Sequence, residues 1–239
     1  MKKIFVGCCG FPINKKKYFK TFKIVELQST FYQPPLKIET IKKWKKEAPK
    51  DFIFCLKAWQ IITHPSSSPT YKRLKERFGN PKNYGFFKNT KEVFKAWERT
   101  KNIAKILQAK VIVFQCPASF KSERKKVQNL ENFFEKIKTK RFIFALELRG
   151  NWPKDLIRKI CKKFNLIHCT DPFKQKPIFG KKNYFRLHGK PGYNLRYKYT
   201  KEDFKKLLGF CDKKENFVFF NNLNMVKDAQ EFKKLCQKF

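Results

Sequence analysis

The sequence predicts an α/β protein folded as a single (β/α)8 TIM barrel. Eight short apolar runs lie along its 239 residues, and most are separated by a stretch with the apolar spacing of an amphipathic helix. Such regular alternation of strand and helix is typical of a parallel sheet, and eight repeats are enough to close a barrel. The predicted strands are Ile4–Gly7, Ile24–Gln28, Phe52–Lys57, Val111–Gln115, Phe142–Glu147, Leu166–Cys169, Tyr184–His188 and Phe217–Asn221.

Prolines mark several ends of the helices predicted between these strands. Pro49 ends the second helix, and Pro153 suits the first turn of the fifth. Pro172 and Pro177 flank the position of the sixth helix, which we expect to be vestigial or missing. The predicted helices with defined bounds are Lys15–Thr21, Ile38–Glu47, Thr90–Gln108, Glu123–Lys138, Lys201–Cys211 and about Val226–Lys238.

Length and composition favour one domain over residues 1–239, because a barrel of this kind typically needs about 250 residues. The sequence shows no signal peptide and no apolar run near the roughly 18 residues of a membrane span. We therefore expect a soluble, cytoplasmic protein with no membrane partner. Most of the 8 cysteines lie inside apolar runs, where a free thiol packs as a small hydrophobic group. The oligomeric state is left open.

The charge of the chain is strongly unbalanced, with 57 Lys and Arg against 19 Asp and Glu and a net charge of +38. Such a surface attracts polyanions over long range, so a nucleic acid, DNA or RNA, is the predicted partner. Compositional bias in the coding sequence explains the excess of Lys over Arg, but it does not explain why Glu is scarce. Salt adaptation and compositional drift are the alternatives.

Three carboxylates are predicted at the mouth of the barrel, where the carboxyl ends of parallel strands meet and barrel enzymes keep their active sites. These are Glu26, Glu147 and Asp171. They suit general acid–base chemistry or, through their oxygen atoms, a Mg²⁺ or Mn²⁺ cofactor. The alternative is a structural salt-bridge network in which Glu26 and Glu147 pair with Arg149 and Arg186, since residues two apart share one strand face.

Histidine and lysine add candidate groups for proton transfer at the same end of the barrel. His188 ends the seventh strand and is the first choice for acid–base work, whereas His64 lies in the long connection after strand 3. His168 lies inside a strand and is interpreted as an interior residue. Lys57, at the end of strand 3, would bind a phosphate, form a Schiff base or pair with Glu26.

Cys8, Cys9 and Cys116 follow strands 1 and 4 at the same end of the barrel. Neither the C-x-x-C spacing nor neighbouring histidines accompany them. We interpret them as small residues that pack in tight loops, with a nucleophilic or metal-binding role as the alternative.

The order of motifs resembles the YecE-like family (domain of unknown function 72) over nearly the whole chain. The matching segments are Val6–Gly10, Val25–Tyr32, Trp44, Phe54–Lys57, Ile62–His64, Gln115–Pro117, Glu147–Arg149 with Trp152, Asp171, Phe185–Gly189 with Tyr193 and Tyr199, and Phe219–Asn222. This resemblance implies a TIM barrel and supplies no settled activity. Cys8-Cys9 replaces the Thr-Ser of many members.

Barrels of that family look similar to those of AP endonucleases and xylose isomerases, although the metal-binding histidines of AP endonucleases have no counterparts here. Strand-end position and the matching motifs together nominate Glu26, Lys57, Glu147 and His188 as catalytic. The candidate residues for binding substrate or phosphate are Ser29, Thr30, Tyr32, His64, Gln115, Arg149, Trp152, Arg186, Tyr193, Asn221 and Asn222.

Three functions are compatible with this set of residues. The first is an enzyme acting on nucleic acid, a phosphodiester hydrolase or nuclease, in which cationic side chains hold the phosphate. The second is a nucleic-acid-binding protein without catalysis, whose mouth is a stacking pocket. The third is a sugar or sugar-phosphate enzyme with an incidental basic surface.

Overall fold

The computed structural model describes residues 2–238 and confirms the TIM barrel. Met1 and Phe239, the ends of the predicted domain, lie outside the described residues. All strand pairs are parallel, and the order around the sheet is β6-β5-β4-β3-β2-β1-β8-β7. The strands are β1 Lys3–Cys9, β2 Ile24–Leu27, β3 Ile53–Lys57, β4 Val111–Gln115, β5 Ile143–Glu147, β6 Ile167–His168, β7 Asn183–Leu187 and β8 Glu215–Phe220.

The barrel closes between β6 and β7 through a single bridge at Thr170 and Phe185. The Thr170 amide donates to the Tyr184 carbonyl at 3.2 Å, and the Arg186 amide donates to the Thr170 carbonyl at 3.0 Å. Within the described residues no helix lies between β6 and β7, as the flanking prolines predicted. Because β6 has only two residues and this seam has only one bridge, the barrel is nearly closed.

Helices on the outside of the barrel follow the predicted positions closely. Two single-turn helices, at Ser29–Tyr32 and Gln60–Thr63, were not predicted and begin just beyond the ends of β2 and β3. No helix within residues 2–238 is both long and apolar enough to cross a membrane. The helices are α1 Lys15–Thr21, α2 Ser29–Tyr32, α3 Ile38–Glu47, α4 Gln60–Thr63, α5 Lys91–Leu107, α6 Arg124–Lys136, α7 Lys154–Phe164, α8 Lys201–Phe210 and α9 Met225–Cys236.

The long connection after β3 packs against the barrel instead of standing free. It contains α4 and two short 3₁₀ helices, Pro69–Arg73 and Pro81–Asn83. Tyr71, Tyr84 and Phe87 are buried along it. Its apolar side chains therefore extend the core over the outer edge of the mouth.

Alternation of side chains along the strands separates two cores. Every second residue points into the barrel, where a compact cluster includes Cys55, Val113, Ala145 and Phe219. The intervening residues pack outward against the helices in a larger cluster rich in Phe. Because the same period continues to the strand ends, the last inward positions form a polar layer at the carboxyl end of the barrel.

Phe114, on the outward face of β4, lies at the centre of the largest aromatic cluster. Its ring lies 5.1 Å from Phe134, 5.6 Å from Phe144, 5.7 Å from Phe133 and 6.0 Å from Trp97. The edge-on and tilted arrangements are those that aromatic pairs prefer. This contact set ties β4 and β5 to helices α5 and α6.

Phe114→Ala should lower the free energy of unfolding by about 3–5 kcal/mol, because it leaves a cavity between aromatic rings that cannot collapse. Urea titration followed by circular dichroism measures the change. Leu36→Ala, at an exposed position, is the control and should change stability by less than about 0.5 kcal/mol. Equal effects at the two positions would contradict this description of the core.

Candidate active site at the barrel mouth

The centre of the mouth is an ion-pair network around the buried side chain of Arg186. Its Nε donates to both carboxylate oxygens of Glu26, at 3.0 and 3.1 Å, and its Nη1 donates to Oε2 of Glu147. The other Glu147 oxygen accepts from Nε of Arg149 at 2.7 Å. The network joins β2, β5 and β7 across the barrel, and it contains the four residues of the predicted salt-bridge alternative.

Further side chains fix the carboxylate of Glu26. The hydroxyl of Tyr184 donates to its Oε2 at 2.8 Å, and the amide of Gln28 donates to its Oε1. The thiol of Cys9 lies 3.4 Å from the same Oε1. Sequence reasoning missed Tyr184 as part of the site, although it precedes Arg186 by two residues and therefore shares its inward face.

Charge within the network is balanced, with two carboxylates against two guanidinium groups. Burial alone raises the pKa of Glu147, but the charges of Arg186 and Arg149 outweigh it and hold that pKa well below its usual range. Glu147 is thus ionised and fully paired. Each of its carboxylate oxygens has a guanidinium partner, so the group is poorly placed to act as a base.

Lys57 lies beside this network, and within residues 2–238 its ammonium is not paired with a carboxylate. Its side chain is only 3% exposed, and its Nζ donates to Oε1 of Gln115 at 2.7 Å and lies 3.8 Å from the centre of the Phe31 ring. Its hydrogen-bond partner is therefore Gln115 and not Glu26. Burial, reinforced by the positive charge of Arg186, lowers the pKa of Lys57 to about 7. A fraction of this amine is neutral at neutral pH.

His188 directly follows β7 and continues the inward face of Arg186, and neither of its ring nitrogens has a hydrogen-bond partner among the described residues. It is 3% exposed, and burial together with the charge of Arg186 lowers its pKa to about 2, so the ring is neutral. Tyr193 covers it edge-on at 4.7 Å. Cations lie over the Tyr193 ring, with Arg149 at 4.8 Å and Lys174 at 3.3 Å from its centre.

His64 lies on the β3 side of the mouth. Its Nδ1 shares a hydrogen bond of 2.8 Å with the hydroxyl of Thr63, and its ring meets Phe31 edge-on at 4.9 Å. Burial, with the charge of Lys57, lowers the pKa of His64 to about 3. His64 is therefore a neutral wall of the mouth.

Of the three candidate residues after β2, one holds two strand ends together and two are accessible at the surface. The Thr30 hydroxyl donates to the backbone carbonyl of Lys57 at 2.8 Å, which ties the ends of β2 and β3 together. Tyr32 is half-buried, with the Arg73 guanidinium 4.5 Å from its ring centre, and Ser29 is exposed. Of the three, Tyr32 and Ser29 are accessible to a ligand.

The three carboxylates predicted to hold Mg²⁺ or Mn²⁺ are not assembled as a ligand set. The guanidinium of Arg186 stands between Glu26 and Glu147, and both oxygens of Asp171 accept backbone N–H groups at 3.1 Å. Within residues 2–238 no group of three or more His, Cys, Asp or Glu is placed to hold a metal ion. These carboxylates do not fit such an ion in this arrangement.

Two further candidate residues stabilise loops around the mouth. The indole N–H of Trp152 donates to the Phe120 carbonyl at 2.8 Å, and the Asn222 amide donates to Asp228 at 2.6 Å. Neither side chain is directed at the polar layer by these contacts. Asn221 is half-buried at the end of β8 and continues its inward face.

The thiols and His168 contribute no reactive group. Burial raises the pKa of Cys8 to about 12, and it raises those of Cys9 and Cys116 well above the ordinary value. His168 is buried and accepts the Ile178 amide at 3.2 Å, in agreement with its interpretation as an interior residue.

A family model described as protein of unknown function DUF72 matches residues 15–239. The chain belongs to the DUF72 family. Among curated proteins, none matches the sequence.

This DUF72 chain is similar to the crystal structure of a DUF72 family protein from Thermotoga maritima. The TM-score is 0.71 at 21% identity, over 98% of this chain and 99% of that chain. It is also similar to endonuclease IV from Thermus thermophilus, with a TM-score of 0.55 at 8% identity over 100% of both chains. A D-psicose 3-epimerase gives a TM-score of 0.56 at 11% identity, over 100% of this chain and 99% of that chain. At these identities the likeness shows the fold alone.

Glu147→Gln should destabilise the protein by about 3 kcal/mol near neutral pH, because a buried guanidinium loses its counter-charge. The folded-state pKa of Glu147 is depressed, so its contribution is present above its unfolded pKa and is lost in acid. The wild-type advantage should therefore shrink by about 1.4 kcal/mol per pH unit below about pH 4.3. Urea unfolding between neutral and acidic pH measures this difference.

The exposed pair of Lys138 and Glu135 supplies the control for that measurement. Glu135→Gln should change stability by less than about 1 kcal/mol, because solvent screens surface pairs. A pH-independent difference between wild type and Glu147→Gln would show that Glu147 is not held ionised in the folded protein.

Proposed function

We propose that this protein is an enzyme acting on nucleic acid, in which Lys57 is the general base for cleavage of a phosphodiester bond and His188 binds the phosphate. The observation that carries the proposal is the buried amine of Lys57, which has a pKa of about 7 and donates to the neutral amide of Gln115. Amines in that range are effective general bases at neutral pH.

Lys57 in its neutral form would take the proton from the attacking hydroxyl or water. Gln115 accepts one of its hydrogens, which orients the nitrogen and leaves its lone pair for the incoming proton. The nucleophile's oxygen bonds to phosphorus, the bond to the leaving oxygen breaks, and the leaving oxygen takes a proton from water.

His188 and Arg149 would bind the phosphate group. The ring of His188 is neutral, so its protonated nitrogen can donate a hydrogen bond to a phosphate oxygen. Arg149 lies at the rim of the mouth beside Tyr193, where its guanidinium supplies positive charge. In this proposal Glu26 and Glu147 act by holding Arg186 in place.

The substrate class rests on charge. A net charge of +38 favours association with a polyanion over association with a small neutral sugar. Similarity to endonuclease IV in fold supports the same class by analogy. Similarity to an epimerase supports the rival, a sugar or sugar-phosphate enzyme, because a base with a pKa near 7 also suits proton abstraction from a sugar.

Lys57→Met should reduce cleavage of labelled DNA or RNA oligonucleotides by about 10²–10⁴-fold, as expected for loss of a general base. Lys57→Arg should be equally inactive, because arginine stays protonated. Wild-type kcat should rise with pH through about 7, since the neutral amine is the active form. Single-turnover assays with and without Mg²⁺ or Mn²⁺ measure these rates, with Lys121→Met, an exposed lysine, as the control of equal charge.

The same assays separate the three functions. Tight binding without cleavage under any condition would identify a nucleic-acid-binding protein without catalysis. Turnover of a short sugar phosphate, with none of an oligonucleotide, would identify the sugar enzyme. Full activity of Lys57→Met would move the chemistry to another residue.

Affinity for DNA and RNA should fall steeply with salt, because each contact between a lysine and a phosphate releases counterions. Changing Lys72, Arg73 and Lys75 together to Gln should weaken binding about equally for all sequences and leave the single-turnover rate at saturation unchanged. Fluorescence anisotropy at several salt concentrations measures the slope. Undetectable binding to DNA and RNA at low salt would contradict a polyanionic partner.

A further inference from the structure

The large exposed apolar side chains among residues 2–238 fall into two groups. They are Leu36, Ile38, Tyr193, Leu195 and Leu223. The first two belong to the segment that enters α3, and the other three belong to the loops after β7 and β8. Single exposed apolar side chains are common on protein surfaces, so Leu36 and Ile38 need no partner. The group after β7 and β8 brings two different loops together, and such a grouping marks an interaction surface.

Leu195 and Leu223 are placed side by side by their backbones. The Leu223 amide donates to the Leu195 carbonyl at 2.7 Å, although the two residues belong to different loops. Their side chains are nevertheless 48% and 76% exposed. The pair therefore forms a small apolar projection on the loops after β7 and β8, and Tyr193 belongs to the first of these loops.

The loops that carry this projection are firmly held. The Asn222 amide donates to the Tyr197 carbonyl at 2.7 Å, and the Gly189 amide donates to the hydroxyl of Tyr199 at 2.9 Å. Gly189 has a φ of +82°, and a Cβ there would lie 1.9 Å from the backbone oxygen of Asn194, so only glycine fits. Because these loops are already ordered, the leucine pair can bind a partner without the entropy cost of ordering a mobile loop.

Positive charge lies beside the projection. Arg196 and Lys198 follow Leu195 in sequence and are exposed, and Lys174 lies against Tyr193. An apolar tip within a cationic rim is complementary to stacked bases between two phosphate backbones. A purely apolar protein partner would leave these cations unpaired.

The reactive groups lie deeper than a base-paired strand can reach. Lys57 and His188 are each 3% exposed inside the barrel, and Tyr193 covers His188. A nucleotide held in a duplex must leave the stack to reach such a site, and its departure leaves a gap between its neighbours.

We propose that Leu195 and Leu223 form a wedge that enters the base stack of a nucleic-acid duplex and fills the gap left by a nucleotide turned into the mouth. This inference rests on the proposed function and adds to it the form of the substrate. Arg196 and Lys198 would contact the phosphates on either side, and Tyr193 would lie against the displaced base.

A duplex that carries 2-aminopurine tests the wedge, because the fluorescence of this base rises when it leaves the stack. The wild-type protein should raise the signal on the duplex. The double variant Leu195→Ser and Leu223→Ser should lose most of that rise and cleave the duplex at least about tenfold more slowly, while cleavage of the single strand stays within about twofold. Leu36→Ser with Ile38→Ser is the matched control and should retain both activities.

Each remaining outcome decides the question. Duplex binding by the wild type without any fluorescence change overturns the wedge and leaves the proposed function intact. Absence of binding to both strand forms overturns the proposed function together with the wedge. A dimer in analytical ultracentrifugation that Leu195→Ser and Leu223→Ser dissolve assigns the surface to a second copy of the chain. Thermal unfolding and the milder variant Leu223→Met verify that any loss does not come from misfolding.

Discussion

The buried guanidinium of Arg186 is the interaction on which the rest of the mouth depends. It donates hydrogen bonds to the carboxylates of Glu26 and Glu147 and so joins three strands that are not neighbours in the sheet. Burying these charges is costly, and removing any one of them leaves an uncompensated partner. Such a network is weak evidence for added stability. It strongly constrains the positions of the groups around it.

Because the two carboxylates are matched by Arg186 and Arg149, no counter-charge within the network remains for Lys57. Burial then lowers the pKa of that amine to about 7. The interior of the mouth is balanced in charge, whereas the outer surface is strongly basic. One chain can therefore combine a net charge of +38 with a lysine that is partly neutral. The outer charge acts at long range on a polyanion, whereas the balanced interior sets the protonation of single groups.

Much of the fold was predictable because strand and helix periods differ and because prolines marked the missing sixth helix. The polar layer was predictable too, since residues two apart on a strand share a face, as Glu147 and Arg149 do. The choice between catalysis and a salt-bridge network was not predictable, because it depends on distances across the barrel. The same limit explains why the sequence leaves the partner of Lys57 open. It also explains why the sequence does not reveal the hydrogen bonds by which Trp152 and Asn222 hold loops.

Burial, with no carboxylate among residues 2–238 left to pair with its ammonium, makes Lys57 titrate near neutrality. Nuclear magnetic resonance of protein labelled with ¹³C at lysine Cε measures this directly, with Lys57→Arg identifying the signal of Lys57. We expect the Lys57 signal to titrate with a pKa of about 7. A Lys57 signal that titrates near the usual value of about 10.4 would contradict it.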